Sequence, residues 1–116
     1  AYQGNYSFAT RFENGTGANP EELVGAALAG CYSMALANSL ATAGFPATSV
    51  HTSADVHLGK DDIGFLINLI ELTVTATVPN VDEATFQQHV EKTNTGCIIK
   101  RSLAAVPSVT VKATLK

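Results

Sequence analysis

Cys31 and Cys97, an arginine at position 11 and a carboxylate at position 21 are the residues of this chain whose types fit together as thiol chemistry. A thiol acts as a nucleophile only as its thiolate, and apolar surroundings push it towards the inert protonated form. Cys31 lies in such surroundings, the stretch Asn19-Pro-Glu-Glu-Leu-Val-Gly-Ala-Ala-Leu-Ala-Gly-Cys-Tyr-Ser-Met-Ala-Leu. It needs a fixed cation beside it to become reactive. Arg11, between Thr10 and Phe12, is the candidate, and its plainer reading is an exposed strand residue. Glu21 and Glu22 both suit the first turn of a helix, where carboxylates meet free N–H groups and the helix dipole. Glu22 stands three residues after Asn19, as in a capping box, which leaves Glu21 to hold Arg11 in place. Cys97 opens a second short apolar segment, Gly96-Cys-Ile-Ile-Lys-Arg-Ser-Leu-Ala. The thiols are 66 positions apart, so they form neither a CxxC redox motif nor a zinc knuckle. On residue types alone, two unrelated buried thiols is an equally good reading, since free cysteine behaves as a small hydrophobe.

The remaining candidates are weaker. His51, Asp55 and His57 share one face of a predicted strand. Alternate residues on a strand lie roughly 6–7 Å apart, so they converge on a metal only with help from other strands; a solvated face is the better reading. His89 reads as an exposed helix residue. The chain has no glycine-rich phosphate loop, Ser-His-Asp pattern or aromatic-basic patch.

The elements that must position these residues follow from periodicity and punctuation. Tyr6 to Phe12 reads as a strand, ended by the turn-rich Glu13-Asn-Gly-Thr-Gly. Asn19 is a good N-cap, Pro20 fits the first helical position, and Gly44 with Pro46 stops the helix near Ala43. Apolar residues surround most of this helix, which predicts a long, buried, central element. Thr48 to Leu58 alternates, with Val50, Thr52, Ala54, Val56 and Leu58 on one face and Ser49, His51, Ser53, Asp55 and His57 on the other. Lys60-Asp-Asp-Ile-Gly is a hairpin connection, and Phe65 to Val78 a second strand, apolar on both faces early and ended by Pro79. Asp82 caps a helix through about Lys92 with Ala84, Phe86 and Val90 inward. Cys97 to Ala104 reads as a short helix, and Val109 to Leu115 as a last strand. The order predicts an α+β fold with a mostly antiparallel sheet packed on the long helix.

A chain of 116 residues suits one domain, 1–116, with a modest core of its own. The formal net charge of −3 and the absence of a basic face argue against a nucleic-acid partner. Leu23 to Ala37, the longest apolar run, is interrupted by Gly, Ser and Tyr and reads as too short for a bilayer span, so no membrane partner is expected. No signal peptide is visible. The chain starts at Ala1, which points to an incomplete N-terminus. The cytosol is the expected compartment, where a cysteine pair more often means redox chemistry than stapling.

Asn19-Pro-Glu-Glu-Leu, then Ala29-Gly-Cys-Tyr-Ser-Met-Ala-Leu, with Thr10-Arg-Phe-Glu upstream and Gly96-Cys97 downstream, closely resembles the OsmC/Ohr family, the osmotically inducible and organic hydroperoxide resistance proteins, and its OsmC branch in particular. The resemblance covers essentially the whole chain. It implies an OsmC-like intertwined homodimer and a thiol-dependent peroxidase of organic hydroperoxides. Cys31 matches the peroxidatic cysteine, Cys97 the resolving cysteine, Arg11 the activating arginine and Glu21 its carboxylate partner. Two departures stand out. Ile98 occupies a position that is commonly proline, and the N-terminal strand segment of relatives is missing, a region that sometimes supplies a catalytic arginine.

The resemblance implies that Cys31 is oxidised by peroxide to a sulfenic acid, that Cys97 condenses with it to a disulfide, and that an external dithiol, of lipoyl type, restores both thiols. No metal, haem or other cofactor is called for. Glu21 and Cys31 are ten residues apart on one predicted helix, about 15 Å. One Arg11 side chain cannot touch both, so either the chain bends at Glu21 or the carboxylate comes from the second subunit. The buried helix favours the latter. Two other classes remain open: a non-catalytic stress protein holding a lipid-like ligand beside inert cysteines, and a general thiol–disulfide oxidoreductase, which the missing CxxC disfavours.

Overall fold

The computed structural model describes residues 19–116. Helix α1, Pro20–Thr42, begins as the sequence dictates: Asn19 has extended backbone, and its Oδ1 accepts the Glu22 N–H at 2.8 Å. It ends at Ala43, and Gly44, at φ +93, makes the left-handed step that releases the chain. Strand β1, Ser49–Lys60, pairs antiparallel with β2, Phe65–Thr77, and the register shifts between His57 and Leu58. In the connecting turn, Asp61 Oδ1 accepts the N–H groups of Ile63 and Gly64. Helix α2, Glu83–Gly96, is capped by Asp82, and α3 is the short helix Ile98–Ser102. Strand β3, Ser108–Leu115, lies beside β2 in parallel, giving the order β1-β2-β3.

The α+β class is as expected, and the described sheet is mixed. The sequence pattern fixes which face of a strand is buried but not its partner. Two helices between β2 and β3 bring the chain back in the same direction, which requires parallel pairing.

The helices pack on one face of the sheet. Leu28, Tyr32, Leu36 and Leu40, each four residues after the last, form a fully buried stripe on α1. They meet Ile70, Leu72, Val74 and Ala76 of β2 and Phe86 and Val90 of α2 in one core. Each such aliphatic or aromatic side chain contributes about 1.5–3 kcal/mol by leaving water. Gly25 allows the close approach of α1 to β1, because a Cβ there would lie 2.7 Å from Val56 Cγ2. Ser33 Oγ donates to Thr52 Oγ1 at 2.7 Å across the same contact.

Helix α1 is central as expected; the single chain buries one stripe of it, and Ala26, Ala27, Gly30 and Met34, the last 75% exposed, form the face for which the sequence calls for cover from a second subunit. Several expectations are corrected. At 23 residues α1 is long and apolar enough to cross a membrane by length and composition, contrary to the reading of a short run, although its stripe is spent on the core. Helix α2 continues past Lys92 to Gly96, with the Thr93 and Thr95 hydroxyls donating to the His89 and Lys92 carbonyls. Ala84 is exposed, and Thr93 takes a buried place on that face. His89 is half-buried against α1, its Nδ1 2.7 Å from Ser39 Oγ.

Candidate active site: the thiol pair

Cys31 lies halfway along α1, one residue before the buried Tyr32, at the border between the core stripe and the outward face. It is half-buried, whereas Cys97 is 1% exposed. The backbone of Cys97, at φ −63 and ψ 122, ends α2 and begins α3. This break carries its side chain onto α1. The two sulfurs are 3.0 Å apart, with the Cys97 S–H donating to the Cys31 sulfur, and both thiols are free.

The pair is electrostatically unequal. Burial pushes the Cys31 thiol up, but the Cys97 S–H and the backbone N–H groups of Ile99 and Ile98 stabilise its thiolate and hold it below the ordinary cysteine value. Cys97 moves the other way. Burial raises it first, and the hydrogen bond to Cys31 raises it further. The two thiols are thus shifted in opposite directions, Cys31 down and Cys97 up. Ile98 bears directly on this asymmetry, since proline at that position would have no N–H to offer.

An apolar groove of about 660 Å³ opens at Cys31, walled by Ala26, Ala27, Gly30 and Met34 of α1 and by Ile98 and Ile99 of α3. Met34 and the 71% exposed Ile98 stand at its rim. Its lining is mostly apolar, and the Cys31 sulfur lies in its wall.

The structure brings Cys31 and Cys97 together. It leaves Glu21 in the first turn of a continuous α1, about 15 Å along the axis from Cys31. Arg11 lies outside the described residues, as does the predicted strand from Tyr6 to Phe12. His51, Asp55 and His57 stand on the exposed face of β1, where His57 Nε2 is 2.6 Å from Glu71 Oε1 on β2. Among the described residues, no three His, Cys, Asp or Glu side chains are grouped to hold a metal ion.

Sequence reasoning passed over Tyr32 and Asn94. The Tyr32 hydroxyl is buried and donates to Asn94 Oδ1 at 2.6 Å, and Val90 O lies 3.4 Å from it. Burial, and after it the charges of Cys97 and Glu91, pushes this phenol well above its usual range. The signal lies in Tyr32 alone: a tyrosine in a leucine stripe must find a partner for its hydroxyl, but nothing in the pattern names Asn94 as that partner.

Residues 13–112 match the family described as OsmC-like protein. The chain is 49% identical over 100 residues to Peroxiredoxin OsmC of Escherichia coli, covering 86% of this chain and 70% of that protein. Among solved structures, the organic hydroperoxide resistance protein OhrB of Bacillus subtilis superposes with a TM-score of 0.65 at 27% identity, covering 88% of this chain and 73% of that one. An OsmC-like protein of unknown function from Vibrio cholerae gives a TM-score of 0.74 at 19% identity, which speaks for the fold alone. That match covers 84% of this chain, which spans only 64% of the Vibrio protein.

Proposed function

The chain belongs to the OsmC-like protein family, and from that premise we propose that it is a cysteine-based peroxidase that reduces organic hydroperoxides to alcohols. The observation that carries this reading is the unequal sulfur pair, 3.0 Å apart, with its lowered thiol in the wall of an apolar groove.

The Cys31 thiolate attacks the distal peroxide oxygen. A sulfur–oxygen bond forms, the oxygen–oxygen bond breaks, and the organic half leaves as an alkoxide that takes a proton to become the alcohol. Cys31 is left as a sulfenic acid. Cys97 then attacks that sulfur, a disulfide forms, and water leaves. An external dithiol returns two electrons through a mixed disulfide, and the family resemblance points to a lipoyl-type reductant. The groove accepts a carbon-rich tail more readily than hydrogen peroxide, which gains nothing from it.

Arg11 is assigned the cation that supports the Cys31 thiolate, and Glu21 the carboxylate that orients it. The distance along α1 favours Glu21 serving the Cys31 of a second copy, so the working form is a homodimer with composite sites. The outward apolar residues of α1 support this assembly, for which the cytosol is the proposed compartment.

Titration with cumene hydroperoxide tests the proposal. Two thiols should disappear per chain for each alcohol formed, and Cys31→Ser should abolish consumption while the fold persists. A wild-type protein that keeps both thiols would instead support a lipid-binding protein with inert cysteines.

A further inference from the structure

Helix α2 ends in an exchange of hydrogen-bond partners. The Cys97 N–H continues the helical ladder, donating to Thr93 O at 3.0 Å. The next carbonyl, Asn94 O, accepts from the Lys100 ammonium at 2.9 Å. The amide that would continue the ladder to Asn94 is that of Ile98, but the helix breaks at Cys97 and the Ile98 N–H does not reach that carbonyl. Lys100 therefore takes the place in the ladder that Ile98 gives up. From the other side, the Asn94 side chain is held by the Tyr32 hydroxyl at 2.6 Å. Tyr32 follows Cys31 in α1, while Asn94 and Lys100 flank Cys97 three residues before and three after.

We infer that Tyr32, Asn94 and Lys100 form a clamp that positions Cys97 for its condensation with oxidised Cys31. Asn94 is the node. Its side chain ties the end of α2 to the turn of α1 that carries Cys31, and its carbonyl ties that end to α3. None of the three needs to touch the peroxide, so these are positioning residues. Their effect falls on the second step, in which the sulfenic acid either meets Cys97 and loses water or meets a second peroxide and becomes sulfinic acid. A thiol displaced by about 1 Å can lose a hundredfold in rate, so a loosened clamp should register as over-oxidation.

The inference rests on the peroxidase reading, and its test separates the two. Reduced wild-type protein, Lys100→Met, Lys100→Arg and Tyr32→Phe are treated with graded tert-butyl hydroperoxide. Mass spectrometry counts disulfide against Cys31 sulfinic acid. Lys100→Met and Tyr32→Phe should each shift the partition about tenfold towards sulfinic acid. Lys100→Arg keeps a cation that donates to Asn94 O and should return it to within about twofold of wild type. General loosening of the fold would not be rescued by arginine, and failure of that rescue overturns the clamp. So does a wild-type partition in both Lys100→Met and Tyr32→Phe, provided wild type still forms its disulfide; the peroxidase reading then stands. Wild-type protein that keeps both thiols overturns both inferences.

Discussion

Cys97 donates its S–H to the sulfur of Cys31 across 3.0 Å, a contact that helps to lower Cys31 against its burial and adds to the burial that already raises Cys97. The same proton stabilises a thiolate at Cys31 and is harder to remove from Cys97.

The pH dependence of alkylation should show the difference. Iodoacetamide labelling of Cys31 should keep its full rate to a pH below that of an ordinary cysteine and fall only as pH drops through the lowered value. Cys97 should label later, as pH rises above the ordinary range. Because folding depresses the Cys31 value, its thiolate contributes stability above the unfolded pKa that is lost as pH falls through the folded one. Peptide mapping of labelled protein across pH checks the order, and Cys97 labelling first would contradict it.

Ile98→Pro should raise the Cys31 pKa and leave the fold intact. The extended backbone of Cys97, at φ −63 and ψ 122, is what a following proline favours, and position 98 is the first of α3, where proline is tolerated. What the substitution removes is one N–H from the Cys31 thiolate. An upward shift of the alkylation midpoint, with circular dichroism unchanged, is the expected result. No shift would mean that Ile99 and Cys97 suffice.

Gly25→Ala should destabilise the protein although alanine is the better helix former. The new Cβ would press Val56 Cγ2 at 2.7 Å, and valine is stiff about χ1. Overpacking of about 1–3 kcal/mol outweighs a helix gain of about 0.5–1 kcal/mol. Denaturant unfolding should show a net loss, and adding Val56→Ala should recover part of it through their shared contact.

Mixing Cys31→Ser with Glu21→Gln subunits tests the composite site. If Glu21 serves the other copy's thiol, each heterodimer carries one site with both lesions and one with neither, and about half of wild-type activity returns. Verified heterodimers without recovery would leave Glu21 with its own chain or as a helix-start carboxylate.

Much of this architecture is written locally. Asn19, Pro20 and Gly44 mark α1 to within a residue, because capping is a matter of adjacent dihedrals and side chains. The alternation from Val50 to Leu58 gives the two faces of β1 for the same reason. Partners across the chain are less legible. Ala84 and His89 were misplaced because burial on α2 depends on where α1 and β3 pack. Asn94 and Lys100 had no signal at all, since their roles come from an interrupted helix that periodicity does not reveal. The proximity of the thiols follows from the same break. It was implied by resemblance, not by spacing.

The dual position of Cys97, last stop of one helix and first of the next, separates two duties that often conflict. The backbone of residue 97 joins the helices, through its N–H to Thr93 O and its carbonyl, which accepts from Arg101 N–H at 3.0 Å, while its side chain packs in the core beside Cys31. The redox duty requires only the side chain. For an engineer, this position is a socket: selenocysteine would seat a faster leaving group opposite Cys31 at nearly the same volume, and serine would silence it while burying a hydroxyl that has to find a partner.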